Sequence, residues 1–289
     1  MKPPVENSPP AYGFSEGESK VRAPATSANL GPGFDCAAVA LDLWNELEVT
    51  EGHGVLVEGE GAGELPTDET NLAVRAFALL ASPHGKRFHF VNRIPLERGL
   101  GSSAAAIALG LAAASQGGHS AEELLALGAQ LESHEDNLGA VLTGGACITW
   151  HGRITKIAQT LPLQPIAVIP ARRVATTEAR TALPAQISHA DGAFTAAHAL
   201  LLGAGLAAGS AEWLALALND RLHEPYRPSA LLDEIRADLP PGAVGATLSG
   251  SGPTVLVWAN HPDPCTAKLA ERYPDHRVLP LSVAERGAL

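Results

Sequence analysis

Pro95-Leu96-Glu97-Arg98-Gly99-Leu100-Gly101-Ser102-Ser103-Ala104-Ala105 joins a predicted strand, Arg87 to Ile94, to a predicted helix, Ser102 to about Gln116. Gly99 and Gly101 let the backbone turn tightly and let another group approach where a Cβ would block it. The first N–H groups of a helix lack internal partners and carry the positive end of its dipole. A glycine loop that feeds a helix N-terminus is therefore suited to phosphate, and Ser102 and Ser103 add hydroxyls for a phosphate oxygen or a cation. The same small residues also suit a helix that starts close against its neighbours. Both readings stay open on this stretch alone.

Composition narrows the class. The chain has 289 residues, 46% apolar, 18% charged and only 4% aromatic, as for an ordinary globular protein able to bury a core. Its formal net charge of −11 excludes a general attraction to nucleic acid, so an anionic ligand needs a local pocket. Three widely spaced cysteines, Cys36, Cys147 and Cys265, form no C-x-x-C pair, which points to reduced thiols in a cytoplasmic protein. The proline-rich stretch at residues 1–19 reads as a disordered tail, or as a start assigned too early, and not as a secretory signal. No apolar run is expected to reach the ~20 residues of a membrane helix, and no membrane partner is expected.

Outward from the glycine loop, strands are expected at Val21–Thr26 and Leu43–Thr50, with His53–Glu58 as the hairpin partner of the latter. Residues 59–66 read as an exposed turn and Asn71–Ala81 as a helix. Ser120-Ala-Glu-Glu123 is a capping box that opens another. Strands follow at Leu142–Trp150 and Gln164–Ile169, then helices near Asp191–Ala208, Ser210–Leu222 and Ser229–Asp238. Strands at Val244–Leu248 and Thr254–Trp258, a helix at Pro264–Tyr273 and a strand near Arg277–Leu281 complete the chain. Strands and helices interleave without a regular β-α-β rhythm, so the fold class is α+β, with a seam near residue 160.

Two further loops carry polar groups among small residues. Thr247-Leu-Ser-Gly-Ser-Gly-Pro-Thr254 lies between two predicted strands, as a hairpin turn or as a ligand loop built on Gly250, Ser251 and Gly252. Ala25-Thr-Ser-Ala-Asn-Leu-Gly-Pro-Gly-Phe-Asp35 presents Asn29 and Asp35, as turn and cap residues or as ligand contacts. A P-loop NTPase is disfavoured because G-x-x-x-x-G-K-[ST] is absent, and neither serine loop forms the G-x-S-x-G of a hydrolase.

The three loops together resemble the GHMP kinase superfamily, whose P-x-x-x-G-L-G-S-S-A signature is met from Pro95 to Ala104 without a mismatch. The first loop, Glu132-Ser-His-Glu-Asp-Asn137, Thr177-Glu-Ala-Arg180 and Glu224-Pro-Tyr-Arg227 are most similar to its homoserine kinase family. The resemblance runs from about residue 20 to the C-terminus. It implies a two-domain fold. Residues 20–160 would form an ATP-binding domain with a left-handed β-α-β unit, and residues 161–289 a ferredoxin-like domain, with the active site between them. It further implies ATP-dependent phosphorylation of the L-homoserine hydroxyl, a step of threonine biosynthesis, and commonly a homodimer.

On that resemblance Pro95–Ala105 would wrap the triphosphate, and Asn71 would stand on the adenine side, although a helix cap explains it equally well. A serine of the pair, Ser103 in preference, would hold Mg²⁺ with Glu132, an oxygen-only set that suits this ion. Glu132 is expected at the end of the helix opened at Ser120, an unfavourable place for a carboxylate beside the negative dipole end. Arg180 and Arg227 would clamp the substrate carboxylate, as arginine's planar fork suits. Asp35 and Asn29 would receive its ammonium group, His134 would line the same pocket, and Gly250–Gly252 would close over it. Asp136 is the candidate general base and Asn137 a hydroxyl-orienting group, with direct proton loss to the transferring phosphate as the alternative. A sister kinase acting on mevalonate or a sugar is the nearest rival, and two arginines poised for a carboxylate disfavour the sugar.

Overall fold

The computed structural model describes residues 19–132, 134–174 and 180–289. Thus the Thr177–Ala179 part of one motif, and all but Ser19 of the expected tail, lie outside the described residues. Two sheets organise the chain.

The first is built on a very long strand, β2 (Gly33–Glu51), paired antiparallel along its length with β1 (Ser19–Asn29). Both run further toward the turn at residues 30–32 than the sequence suggests, because Ala23 to Ala28 is almost wholly buried and its backbone must be paired. The register jumps between Pro24 and Ala25, where proline cannot donate to a ladder. The order β3-β4-β2-β5-β6 completes this sheet, with β3 (Gly54–Gly59), β4 (Lys86–Asn92), β5 (Ala146–Trp150) and β6 (Arg153–Ala158).

The expected β2–β3 hairpin does not form. β4 inserts between the two strands, antiparallel to β2 and parallel to β3, with helix α1 (Leu72–Phe77) linking β3 to β4. The inner place goes to the strand with the larger apolar payload: Phe88 and Phe90 are both buried, whereas β3 buries chiefly Val57. Helices α2 (Ser102–Ser115), α3 (Ala121–Gly128) and α4 (Glu135–Thr143) belong to the same core. α4 corrects the expected strand from Leu142. Leu138, Val141 and Leu142 form an i, i+3, i+4 stripe, and Gly144 and Gly145, both at positive φ, end the helix before β5 begins. β6 was not foreseen. Its cue is the His151-Gly152 pair, both at positive φ, in the tight β5–β6 hairpin.

The second sheet, β10-β7-β9-β8, is wholly antiparallel and made of β7 (Gln164–Ile169), β8 (Ala243–Leu248), β9 (Val255–Ala259) and β10 (Arg277–Pro280). Its residues split by period two. Ile166, Val168, Val255 and Val257 pack with Leu232 of α7 (Ala230–Ala237) and Leu269 of α8 (Pro262–Arg272). Ala167, Ile169, Leu256 and Trp258 face the main core instead.

Between the sheets in sequence lie α5 (His189–Ala208) and α6 (Ala211–Ala217). α6 stops well short of the expected Leu222. The Asp220 carboxylate accepts the backbone N–H groups of Leu222, His223 and Glu224, offering the chain an alternative to helix. α5 corrects another expectation: by length and composition it is apolar enough to cross a membrane. Its mean hydropathy comes from small residues and the run Leu200–Leu202, while His189, Asp191 and His198 lie in its N-terminal half, and Thr195, Leu202, Gly205 and Leu206 are buried in the protein.

Candidate functional site

The three glycine loops are stitched to one another by backbone and side-chain bonds. Thr26 N donates to Leu100 O at 3.1 Å, Gly250 N to Ala28 O at 3.1 Å, and Thr254 N to Arg98 O at 3.3 Å. The Ser249 hydroxyl, fully buried, donates to Gly99 O at 2.6 Å and lies 2.8 Å from Ser27 Oγ. This packing explains the glycines. Gly99 has φ +73° and a Cβ there would overlap Ser249 O and approach Gly252 O to 2.8 Å. Gly101 has φ +68° and a Cβ would overlap Thr26 Oγ1. Close approach of neighbouring loops therefore accounts for both positions, before any ligand is considered.

The same arrangement leaves the start of α2 open. Gly101 is its N-cap in the left-handed conformation and offers no side-chain cap, so the first backbone N–H groups at Ser102 to Ala104 have no helical acceptor. They border a cleft of about 90 Å³ that gathers Asn29, Asp35, Gly99, Gly101, Ser102, Ser103, Glu132, His134, Asp136, Asn137, Arg180, Arg227, Gly250 and Ser251. Residues more than two hundred positions apart in sequence thus share one small space. A second cavity of about 310 Å³ adjoins it through Glu97, Ser102 and Ser103, lined by Leu65, Leu72, Phe90, Leu96 and Leu109 with Asn45, Thr70 and Asn71. Asn71 acts as a helix cap and also borders this cavity. Its Oδ1 caps α1 by accepting Ala73 N–H at 3.0 Å, its Nδ2 donates to Pro66 O at 2.9 Å, and it lines this cavity.

Ser103 and Glu132 meet on one side of the cleft, the Ser103 hydroxyl donating to the carboxylate. α3 ends at Gly128 rather than at Glu132, whose own N–H closes onto Gly128 O at 3.1 Å in the turn beyond. Burial raises the Glu132 pKa, the Ser103 bond opposing it, and its Oε2 is buried with no hydrogen-bond partner. No cluster of three or more His, Cys, Asp or Glu that could hold a metal exists among the described residues. Two oxygen donors and an unsatisfied carboxylate oxygen fit an ion that takes its other ligands from phosphate and water.

Asp136, in the first turn of α4, is 3% exposed. Its pKa is pushed up to about 6 by burial and by the nearby Asp35 and Glu132 carboxylates, against the 2.7 Å bond it accepts from Asn137 N. Asn137 is held in turn by Thr26, whose hydroxyl donates to Asn137 Oδ1 at 2.6 Å. Thr26 is a site residue the sequence reading missed, although it stands within the quoted first loop.

Across the cleft, Arg180 Nη2 donates to both Asp35 oxygens, at 2.7 and 2.8 Å. Arg227 is 9% exposed, and its Nη1 donates to Gly250 O and His223 Nδ1, each at 3.2 Å. Both guanidinium groups stand over the Phe34 ring, at 5.9 and 5.4 Å. His134 lines the cleft as the N-cap residue of α4, its pKa lowered by burial first and then by Arg180.

Asn29 and Arg98, both expected as ligand contacts, are hydrogen-bonded to other parts of the fold. Asn29 Nδ2 donates to Gly250 O at 2.9 Å while its Oδ1 accepts Asp35 N–H at 3.1 Å, so this side chain ties the first loop to the third. Arg98 turns away from the cleft and donates to the backbone carbonyls of Leu96, Pro170 and Ala171.

Comparison with known proteins fits this geometry. The GHMP kinases N terminal domain matches residues 71–145. A homoserine kinase of Gloeobacter violaceus is 44% identical over 258 residues, covering 82% of this chain and 86% of that one. The chain belongs to the homoserine kinase family. A homoserine kinase of Trichormus variabilis is 38% identical over 268 residues, covering 83% and 86% of the two chains. The crystal structure of the homoserine kinase from Cytophaga hutchinsonii superposes with a TM-score of 0.84 over 96% of this chain and 99% of that one, at 25% identity. A mevalonate kinase structure superposes with a TM-score of 0.69 over 92% of this chain and 99% of that one at 17% identity, so the two share a fold. Within a homoserine kinase scaffold, the carboxylates at 35, 132 and 136 and the arginines at 180 and 227 occupy a single cleft beside an open helix start.

Proposed function

We propose that this protein transfers the γ-phosphoryl group of ATP to the side-chain hydroxyl of L-homoserine, giving O-phospho-L-homoserine and ADP. The observation that carries the reading is the pair of adjoining cavities that meet at Ser102 and Ser103. The larger, mostly apolar one suits adenosine, with Asn71 on its polar side. The smaller suits a phosphate-bearing end against a zwitterion. Phosphoryl transfer needs positioning and charge neutralisation more than covalent chemistry, and each requirement has a group here. The open N–H groups of α2 receive phosphate oxygens. Ser103 and Glu132 hold Mg²⁺, which when bound neutralises charge on the phosphates.

Arg227 and Arg180 take the substrate carboxylate. Arg180 is ion-paired with Asp35, and a zwitterion satisfies both partners at once: its carboxylate faces the arginines and its ammonium faces Asp35. Asp136, with a pKa of about 6, is ionised at neutral pH yet basic enough to accept the hydroxyl proton. Asn137, fixed by Thr26, orients that hydroxyl. The reading extends to a cytoplasmic homodimer with residues 20–160 and 161–289 as its two domains.

A coupled ADP-release assay over homoserine, mevalonate, galactose and serine tests the assignment. ADP release that depends on homoserine is the expected result, and dependence on another alcohol instead selects a sister kinase.

A further inference from the structure

His223 is fully buried at the turn that precedes Arg227, and no step above uses it. Its Nε2 lies 2.8 Å from Gly31 O, a pure acceptor, so Nε2 carries the proton. Its Nδ1 lies 3.2 Å from Arg227 Nη1, a pure donor, so Nδ1 presents a lone pair. The two contacts select one neutral tautomer. The ring also stacks on Phe34 at 5.2 Å and 25°, the same ring over which both cleft arginines stand. Asp220 holds the backbone of the turn through the N–H groups of residues 222 to 224.

We propose that His223 is the positioning residue of the carboxylate clamp, its Nδ1 lone pair and Gly250 O together fixing the Arg227 guanidinium that faces substrate. The proposal rests on the reading of Arg227 as a carboxylate ligand. An arginine fork is useful only where its plane is set in advance, because turning a guanidinium by a few tens of degrees loses bidentate geometry. Here the first loop, through Gly31 and Phe34, the 220–224 turn, and the third loop, through Gly250, all converge on one side chain and its neighbour. The charged groups around the ring are Asp220, whose Oδ2 is 3.6 Å from Nε2, then Arg227 and Asp35. The carboxylates favour protonation, and burial and Arg227 oppose it, with a net lowering of the pKa. A protonated ring would turn an N–H toward the guanidinium and release it.

Two substitutions separate the two ring nitrogens. In His223→Asn the amide oxygen stands near the Nδ1 position and keeps an acceptor for Arg227. In His223→Gln the amide nitrogen stands near the Nε2 position, keeps the Gly31 bond and removes the acceptor. His223→Gln is expected to raise the homoserine KM about tenfold, with kcat and the ATP KM within about threefold of the parent. That is the loss of one charge-assisted hydrogen bond. His223→Asn is expected to keep the homoserine KM within about threefold. With (S)-2-aminobutane-1,4-diol, which lacks the carboxylate, parent and His223→Gln are expected to perform alike.

Equal KM effects in both variants, or a fall in kcat and melting temperature without a KM change, would overturn the proposal. If Arg227→Ala leaves the homoserine KM unchanged, the clamp reading itself falls. If Arg227→Ala raises it and His223→Gln does not, only the role of His223 falls. The unmodified chain supplies a further check through the ring-nitrogen NMR shifts of His223. The Nε2–H tautomer at neutral pH is expected, and an Nδ1–H or doubly protonated ring overturns the assignment.

Discussion

Replacing Asp136 by asparagine separates what this buried carboxyl does for stability from what it does for chemistry. In the folded chain its pKa is about 6 against an ordinary 3.8, with burial the main cause. At about 1.4 kcal/mol per pK unit, this is about 3 kcal/mol in favour of the protonated form. The sign follows from linkage. Below about pH 4 the carboxyl is protonated in both states and the fold bears no penalty. Between about pH 4 and 6 the unfolded chain ionises first, so stability falls as pH rises. Above pH 6 the folded chain carries the full deficit. Asparagine keeps the shape and an oxygen to accept the Asn137 N–H, and it has no charge to bury.

Asp136→Asn is therefore expected to be more stable than the parent by about 2–3 kcal/mol at pH 8, with the gap closing toward pH 4.5. In a chain of this size that gain raises the melting temperature by roughly 5 °C. The same variant is expected to lose about 100-fold in kcat, the usual scale for removing a general base. Scanning fluorimetry across the pH range and steady-state ADP release read the two effects. A melting difference that does not vary with pH would refute the linkage argument. Turnover within about threefold of the parent would refute the base assignment and leave proton loss to the transferring phosphate as the route.

Arg180→Ala and Arg227→Ala are each expected to raise the homoserine KM at least tenfold with the ATP KM little changed; an unmoved homoserine KM in both removes the clamp. Glu132→Gln is expected to raise the Mg²⁺ concentration for half-maximal rate about tenfold or more, read by titrating the metal at fixed ATP, and an unchanged titration removes Glu132 as a metal ligand. Gly101→Ala forces a left-handed residue and a Cβ into Thr26 Oγ1, and is expected to destabilise the fold by about 2–4 kcal/mol in chemical denaturation. A loss under about 1 kcal/mol would mean that the loops are less tightly stitched than their bonds imply.

The signals readable in sequence are those carried by near neighbours along the chain. The Ser120–Glu123 capping box, the helix from Ser102 and the alternation of β4, the strand that leads to the glycine loop, depend on residues within a few positions of one another. The family signature did the same for the loops, which is why Asn29, Asp35, Glu132, Asp136, Asn137, Arg180 and Arg227 were named together before the structure placed them in one cleft. Tertiary structure alone decided the remainder. Whether β3 pairs with β2 or with β4 turned on which strand buries two phenylalanines, a comparison no local window contains. α6 ended early because Asp220 bonded the backbone of a turn whose His223 also reaches back to Gly31.

The glycines show the division most plainly. Sequence required small residues at 99 and 101 without saying what they make room for, and the structure gives Ser249, Gly252 and Thr26 as the crowding neighbours. Likewise Asn29 and Arg98 stood in the right motifs, but only their partners across the fold show that they brace the site. Propensity and motif are properties of a short segment. Who occupies the space beside that segment is set by the whole chain, because close packing leaves one place for each side chain and every buried polar atom must find its partner there.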